Sequence, residues 1–245
     1  MKKRFITYQR FILRFIGVCF LLVSCPSIGQ VKQKRQLTAA DYQLWSRLRS
    51  KKISDQGNWA SYQLQYESKK DTLFVKSTRE ERVYAFPRGI EGEFNGETWF
   101  GCKMEDTLAL QNLVTGDLHY TPNISSFAFT KNGKYLLQFL KAPENKSELI
   151  IKDMKGRIVQ RIADVSSWKF STTGNDLVFC EDLVDRYSVG MLQLGTTIVK
   201  RTIATDSSNR FQNLSWKGKT IAFMQSGHQN GKLFCYTTDD NNLVS

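Results

Sequence analysis

A turn glycine recurs at nearly constant spacing through most of this chain, and each one is followed by a short apolar run. Successive glycines are 37 to 44 residues apart, at Gly57, Gly96, Gly133, Gly174 and Gly218. A period of roughly 40 to 50 residues is typical of β-propeller blades, in which each repeat is one small antiparallel sheet. The spacing therefore predicts a repeat architecture built from strands.

Each repeat contains four recognisable strands. An alternating apolar strand leads into the glycine turn, an apolar strand follows it, and a third apolar strand precedes a more polar fourth one. This order predicts an all-β fold, a β-propeller of about five four-stranded blades. A β-sandwich also places turns at short intervals, but it has no reason to repeat its strand order. We expect the blades near 53–90, 91–125, 126–165, 166–210 and 211–245.

The last repeat stops within its fourth strand, which residues 243–245 would begin. A ring of blades must close on itself or expose unpaired sheet edges. We therefore expect either closure with five blades or an incomplete propeller, and the abrupt ending favours the incomplete propeller.

Before the first blade, residues 30–52 are expected to form one short helix and a linker. Thr38 and Asp41 have the spacing of a capping box, with Asp in the usual Glu position. Tyr42, Leu44, Trp45 and Leu48 would give a one-sided apolar surface to a helix over about 39–49.

Residues 1–29 are expected to be a signal peptide, since a basic start precedes a short apolar run and small residues. Cleavage after Gly29 competes with lipidation of Cys25, which ends a lipobox-like stretch. Pro26 beside that cysteine favours cleavage after Gly29; an uncleaved membrane anchor is the third alternative. We therefore expect an exported protein, periplasmic or secreted, that contacts a membrane only if Cys25 is lipidated.

The net charge of +12 is partly a property of this leader, which holds five basic residues and no acidic one. The remainder has 30 basic and 23 acidic residues, scattered over turns and strand faces. Nucleic-acid binding proteins instead gather their charge into a patch or stripe. The distribution thus argues against a nucleic-acid partner.

The cysteines that remain after cleavage at Gly29 are Cys102, Cys180 and Cys235, all in apolar, strand-like runs. A buried free thiol packs as a small hydrophobic group. We expect core packing, with one disulfide possible. The spacing of the cysteines and histidines suggests no metal site, and no cofactor is expected.

No set of residues has the pattern of a catalytic site. The sequence lacks a Gly-x-Ser-x-Gly segment, and its only histidines are His119 and His228, which are expected to be solvated. A hydrolase triad needs a nucleophile, a base and an orienting acid together. We therefore predict no catalytic residues in this chain.

Acidic pairs are the remaining polar feature, and we expect them in exposed loops between strands. The candidates for substrate binding are Glu181, Asp182, Asp185 and Arg186, between the second and third strands of the fourth repeat. Loops at this position can reach a face of a propeller. Paired carboxylates could hold an amine or exchange protons only if both project into one cavity.

The opening of the chain resembles that of secreted bacterial peptidases of the prolyl oligopeptidase family. The resemblance rests on residues 37–45, 53–62 and 71–75, and the Phe-x-x-x-Gly turns at 129–133 and 170–174 are similar to that family's N-terminal propeller. The likeness covers about 37–245, although TolB-like and other propellers share the turn.

This resemblance implies a propeller that caps a C-terminal α/β-hydrolase domain and admits short or unfolded peptides to its Ser-Asp-His triad. That domain is absent from the sequence. In dipeptidyl peptidase relatives a glutamate pair grips the substrate's N-terminus, but its flanking motif has no clear counterpart around Glu80 or Glu181. No catalytic or binding residue is therefore transferred from the family.

Three functions remain open. The first is a non-catalytic propeller that gates access of peptides to a serine peptidase domain outside this sequence. The second is a stand-alone, TolB-like or WD-repeat-like propeller for protein interaction in the cell envelope. The third is a five-bladed glycoside-active enzyme, which would need several carboxylates converging on its central channel.

Overall fold

The structure is a computed structural model that describes residues 36–142, 147–227 and 231–245. The chain divides into two compact units, Met1–Asp41 and Tyr42–Ser245. Every strand of the described residues lies in the second unit, which is therefore the part that carries the fold.

The second unit is an all-β fold of five successive four-stranded blades, numbered here along the chain. Blade 1 contains β1 (Ser46–Ile53), β2 (Trp59–Tyr66), β3 (Thr72–Ser77) and β4 (Val83–Pro87), and blade 2 contains β5 (Gly89–Asn95), β6 (Trp99–Met104), β7 (Thr107–Asn112) and β8 (Leu118–Thr121). Blades 3 and 4 contain β9 (Ile124–Phe129), β10 (Tyr135–Lys141), β11 (Ser147–Asp153), β12 (Ile158–Phe170), β13 (Asp176–Asp182), β14 (Tyr187–Leu194) and β15 (Ile198–Asp206). Blade 5 contains β16 (Phe211–Lys217), β17 (Thr220–Gln225), β18 (Lys232–Thr237) and β19 (Asn242–Val244).

Blades 3 and 4 share one strand. The first part of β12 pairs with β11 and its last part pairs with β13, so that β12 is the fourth strand of blade 3 and the first strand of blade 4. The two blades therefore form one seven-stranded sheet. Blades 1, 2 and 5 are separate four-stranded sheets.

The five repeated glycines make the turns between the first and second strands, as the sequence predicts. All have positive φ, from 56° at Gly218 to 73° at Gly57. Glycine has no Cβ and adopts this left-handed conformation without steric cost. In blade 3, the Gly133 amide donates to the Thr130 carbonyl at 2.9 Å and closes the turn.

The core lies between blades rather than within one of them. Alternate residues of a strand point to opposite faces of its sheet, so the second strand of an inner blade packs on both neighbours. This explains the burial of Leu136, which packs toward blade 2, and of Leu137, which packs toward blade 4. The apolar runs of the sequence are therefore strands that are covered on both faces.

The first strands of neighbouring blades approach one another. Contacts join β1 to β5, β5 to β9, and β12 to β16. Because each blade is an antiparallel meander in chain order, its fourth strand lies at the opposite edge of the sheet. The blades therefore converge on their first strands, as blades around a propeller axis do.

The helix before the blades is shorter than the 39–49 expected from the sequence. Half of the capping box forms, since Asp41 Oδ2 accepts hydrogen bonds from the backbone N and Oγ1 of Thr38, both at 2.7 Å, while the Asp41 amide donates to the Thr38 carbonyl rather than to its hydroxyl. Helix α1 (Ala39–Tyr42) nevertheless ends after four residues, and the chain is a strand from Ser46 onward. Pairing of β1 with β2 overrides the helical spacing of the apolar residues, and blade 1 begins at Ser46 rather than near 53.

Candidate functional site

The four predicted site residues lie at the junction of β13 and β14. Glu181 and Asp182 are the last two residues of β13, whereas Asp185 and Arg186 lie in the loop before β14. The expectation of an exposed loop is wrong for the first two, which are only 7% and 6% exposed. Pairing of Asp182 with Tyr187 extends the two strands further than the sequence pattern indicated.

Glu181 is neutralised inside blade 4. Its carboxylate accepts a hydrogen bond from Ser188 Oγ at 2.8 Å and forms an ion pair with Lys200 Nζ at 2.6 Å. The same ammonium lies 5.4 Å from the centroid of the Phe179 ring, within the range of a cation–π interaction. A buried carboxylate needs such partners, because desolvation of an isolated charge is costly.

Asp182 has a different set of partners. Ser166 Oγ donates to its Oδ1 at 2.9 Å, and Arg210 Nε lies 3.4 Å from its Oδ2. Arg210 directly precedes the first strand of blade 5 and stands 5.6 Å from the centroid of the Tyr187 ring. Asp182 therefore links blade 4 to the start of blade 5.

The two buried carboxylates point to opposite faces of β13, because neighbouring residues of a strand alternate in direction. They do not meet in one cavity. Asp185 and Arg186 are exposed, with their charged groups 4.0 Å apart. The assignment of these four residues to substrate binding stays a prediction.

Charges on the converging first strands are a feature that the sequence pattern did not indicate. Arg47, Arg49 and Lys51 belong to β1, all of whose residues are exposed. In the next blade, Glu93 of β5 forms an ion pair with Lys52. The helix expected over 39–49 would have included Arg47 and Arg49, and only the pairing of β1 with β2 places these charges on the inner strand of blade 1.

Cys102 and Cys180 are buried free thiols, and Cys235 is a partly buried one. Burial raises the pKa of the Cys102 thiol to about 12. It also raises the pKa of Cys180 to about 11, and the charge of Asp182 raises it further. Since the thiolate is the reactive form, both side chains act as packing groups near neutral pH.

His119 lies on β8, and His228 lies outside the described residues. The described residues contain no cluster of three or more His, Cys, Asp or Glu side chains able to hold a metal ion. Nor does the described part contain a helix long and apolar enough to cross a bilayer. The predicted signal peptide, with Cys25 and Gly29, lies outside the described residues.

Comparison with known proteins identifies a fold rather than a family. No protein-family model matches the sequence, and no curated protein does. Oligopeptidase B from Leishmania major is similar in structure, with a TM-score of 0.51 and 9% identity over 80% of this chain and 33% of that one. The chain thus spans about a third of that peptidase's length, and at this identity the likeness concerns the fold alone.

Two further solved structures illustrate the range of matches. The β-propeller domain of the trilobed protease from Pyrococcus furiosus matches with a TM-score of 0.45 and 9% identity, over 82% of this chain and 84% of that one. TolB from Acinetobacter baumannii matches with a TM-score of 0.38 and 13% identity, over 81% of this chain and 53% of that one. With its repeated four-stranded sheets, the chain is a protein of the β-propeller class.

Proposed function

We propose that this chain is the non-catalytic propeller portion of an exported serine peptidase of the prolyl oligopeptidase family. Its role is to limit which peptides reach a hydrolase domain that lies outside this sequence. The fold likeness to oligopeptidase B carries the proposal, and the resemblance of residues 37–45 and 53–62 to the opening of such peptidases supports it.

The site chemistry agrees with a non-catalytic role. Glu181 and Asp182, the most buried acidic residues of the described chain, have internal cationic partners. Burial raises the pKa of Cys102 and Cys180, so neither thiol is an activated nucleophile. In this proposal, the groups that attack a peptide bond belong to the hydrolase domain.

In this proposal, the converging first strands of the blades control which peptides pass to the hydrolase domain. Arg47, Arg49 and Lys51 give the inner strand of blade 1 a positive charge, and Glu91 and Glu93 give that of blade 2 a negative one. A narrow passage bordered by fixed charges favours peptides of complementary charge. Small or unfolded peptides would pass this constriction, whereas a folded protein would be too wide.

Export is part of the same proposal. The leader would be removed after Gly29, or Cys25 would be lipidated, and the peptidase would act in the periplasm or outside the cell. N-terminal sequencing of the native protein separates the two, since cleavage after Gly29 leaves Gln30 at the N-terminus and lipidation leaves a modified Cys25.

The proposal is tested on the native polypeptide. Antibodies raised against this chain should recognise a protein well above 28.2 kDa that a fluorophosphonate probe for active serines labels. The purified chain alone should not react with the probe or hydrolyse proline-containing peptides. A native protein that has this chain's own mass and is not labelled by the probe would instead support the stand-alone, TolB-like or WD-repeat-like propeller. Hydrolysis of peptides by the purified chain alone would overturn the non-catalytic assignment.

A further inference from the structure

A cavity of about 350 Å³ lies between blades 2 and 3, and we call it the 2–3 cleft. Trp99 and Leu110 border it from blade 2, and Leu136 borders it from blade 3. His119, Gln138 and Lys152 also face it. Small-molecule sites commonly have volumes of about 300–1,000 Å³, with mostly apolar walls and a few polar groups. The 2–3 cleft has this size, and its lining is about equally polar and apolar.

Gln138 stands where other blades have an aromatic ring. It is the fifth residue after the turn glycine, a position occupied by Tyr62, Phe179 and Phe223 in blades 1, 4 and 5, and by Gly101 in blade 2. Phe179 and Phe223 are fully buried against the preceding blade. A glutamine is narrower than a ring and polar, so it leaves space in the interface and brings an amide into it.

The Gln138 amide is buried but only half satisfied. The residue is 2% exposed, and its Nε2 donates to Thr121 Oγ1 at 3.2 Å. Its Oε1 has no hydrogen-bond partner among the described residues. Exchanging the positions of the amide oxygen and nitrogen would leave the nitrogen without a partner instead, because Thr121 is the one hydrogen-bond partner of this side chain among the described residues. Leaving a buried polar group unsatisfied is costly, and a ligand with an N–H or O–H donor would remove that cost.

Lys152 supplies a positive charge on the same face of blade 3. It pairs across the sheet with Leu136, and Gln138 pairs with Ile150, so Lys152 and Gln138 are diagonal neighbours. Diagonal neighbours lie roughly 7–8 Å apart, within reach of long side chains. Burial lowers the pKa of Lys152, and the charge of Arg161 lowers it further. An anion beside the ammonium would offset both effects.

The acidic group nearest in sequence does not supply that anion. Asp153 also borders the cleft, but its carboxylate accepts hydrogen bonds from the backbone nitrogens of Lys155 and Arg157, at 3.0 and 2.9 Å. It also forms an ion pair with the Arg157 guanidinium at 2.7 Å. Within the described residues, no hydrogen bond or ion pair joins Lys152 to an acidic group.

His119 completes the polar end from the opposite wall. It pairs with Leu110 across β7 and β8, which places both side chains on the face of blade 2 that borders the cleft. An imidazole can donate a hydrogen bond to an anion. The polar groups of the 2–3 cleft thus combine an ammonium, an imidazole and an unsatisfied amide oxygen beside an apolar wall.

We propose that the 2–3 cleft binds a terminal α-carboxylate with an acylated N–H and an apolar side chain, the chemistry of a peptide C-terminus or an N-acyl amino acid. The carboxylate contacts Lys152, the N–H donates to Gln138 Oε1, and the apolar side chain packs on Trp99 and Leu136. This inference is independent of the proposed peptidase role, since it involves residues of this chain alone.

Binding is measured by isothermal titration calorimetry on the purified full chain, with N-acetyl-phenylalanine and the tripeptide Ala-Ala-Phe as probes. N-acetyl-phenylalaninamide, which lacks the carboxylate, should bind at least tenfold more weakly than N-acetyl-phenylalanine. Binding of the tripeptide identifies a peptide C-terminus as the source, and binding of the acyl amino acid alone identifies a free N-acyl amino acid. The proposal is overturned if neither carboxylate probe binds or if the amide binds equally well.

Variants then locate the site. Lys152→Met should weaken binding of N-acetyl-phenylalanine at least tenfold, and Gln138→Leu should weaken it several-fold. Lys217→Met on β16 and Gln212→Leu on the same strand are matched controls outside the cleft and should stay within twofold of the parent. Circular dichroism confirms folding of each variant. Parent-like binding by folded Lys152→Met would overturn the assignment even if Gln138→Leu did not fold.

Discussion

Strand β10 takes part in two interfaces with opposite results, one with blade 4 through Phe139 and one with blade 2 through Gln138. In the 3–4 interface, the Phe139 and Trp168 rings stack with centroids 4.2 Å apart and an interplanar angle of 8°. Across the 2–3 cleft, Gln138 and Lys152 stand among apolar neighbours and leave a cavity. The repeat sets where blades meet, but single residues decide whether the meeting surface is a core or a cavity.

The backbone connection between blades 3 and 4 is also closer than the connection between blades 2 and 3. Strand β12 runs without interruption from blade 3 into blade 4, so the two blades share backbone hydrogen bonds as one sheet. Blade 2 ends with β8 at Thr121, and blade 3 begins with β9 at Ile124 as a separate sheet. The 3–4 interface is therefore held by both packing and backbone pairing.

The largest effect is expected when the stacked ring is removed from the 3–4 interface. Phe139→Ala should lower the free energy of unfolding by about 3–5 kcal/mol, because Phe139 is fully buried and its removal leaves a cavity. Urea denaturation followed by circular dichroism measures the change. Phe74→Ala is the control, since Phe74 is only half buried and should cost clearly less. Equal losses of unfolding free energy in the two variants would contradict the prediction that the 3–4 interface contributes most to stability.

A smaller loss is expected when a methyl group is added to the same interface. A Cβ at Gly190 would lie 2.4 Å from Cζ of Phe179, whose ring covers this glycine. Gly190→Ala should therefore destabilise the protein by about 1–3 kcal/mol through overpacking. In the control Gly195→Ala, the nearest atom to the new Cβ is the Thr197 carbonyl oxygen at 3.8 Å. Thermal denaturation should separate the two variants, and equal midpoints would be evidence against a closely packed Gly190.

The opposite sign is expected in the 2–3 cleft. Gln138→Leu keeps a similar volume and removes the half-satisfied amide, so it should raise the free energy of unfolding by about 1–2 kcal/mol. The matched control is Gln111→Leu, equally buried at 2% exposure. The Gln111 amide donates to the carbonyls of Asn112 and Asp117 at 3.0 and 3.1 Å, so its loss should destabilise. Destabilisation by both variants in denaturation experiments would mean that Gln138 is satisfied in solution.

The smallest effect is expected for a single polar contact between blades 3 and 4. The Tyr135 hydroxyl donates to the Gly195 carbonyl at 3.1 Å. Tyr135→Phe should cost about 0.5–1 kcal/mol, the usual net value of one hydrogen bond. Tyr120→Phe, at a side chain that is 58% exposed, should change stability less in the same denaturation assay. A larger loss of stability for Tyr120→Phe than for Tyr135→Phe would contradict this prediction.

The sequence was sufficient for the features that depend on local geometry. The spaced glycines predicted the turns, and each has the positive φ that makes glycine the favoured residue there. Thr38 and Asp41 predicted a capping box, and the bond from the Thr38 amide to the Asp41 carboxylate forms. These features could be predicted because neighbouring residues along the chain are enough to produce them.

Predictions that depended on distant partners were less successful. Residues 46–49 were expected to continue the helix, but pairing with β2 makes them part of a strand. Glu181 and Asp182 looked exposed, but β14 extends their strand and internal cations pair with them. The 2–3 cleft was missed, although one signal was present: Gln138 interrupts an otherwise apolar run at a position that is aromatic in three other repeats.

The sequence by itself therefore determined the architecture of this protein, a series of four-stranded blades set by turn glycines and alternating apolar residues. Only the tertiary structure decided which faces of those blades meet, which charges are neutralised, and where a cavity remains. The physical reason is that turns and strand alternation arise from residues close in the chain, whereas the partners of Gln138, Lys152 and Glu181 are chosen when sheets far apart in sequence pack together.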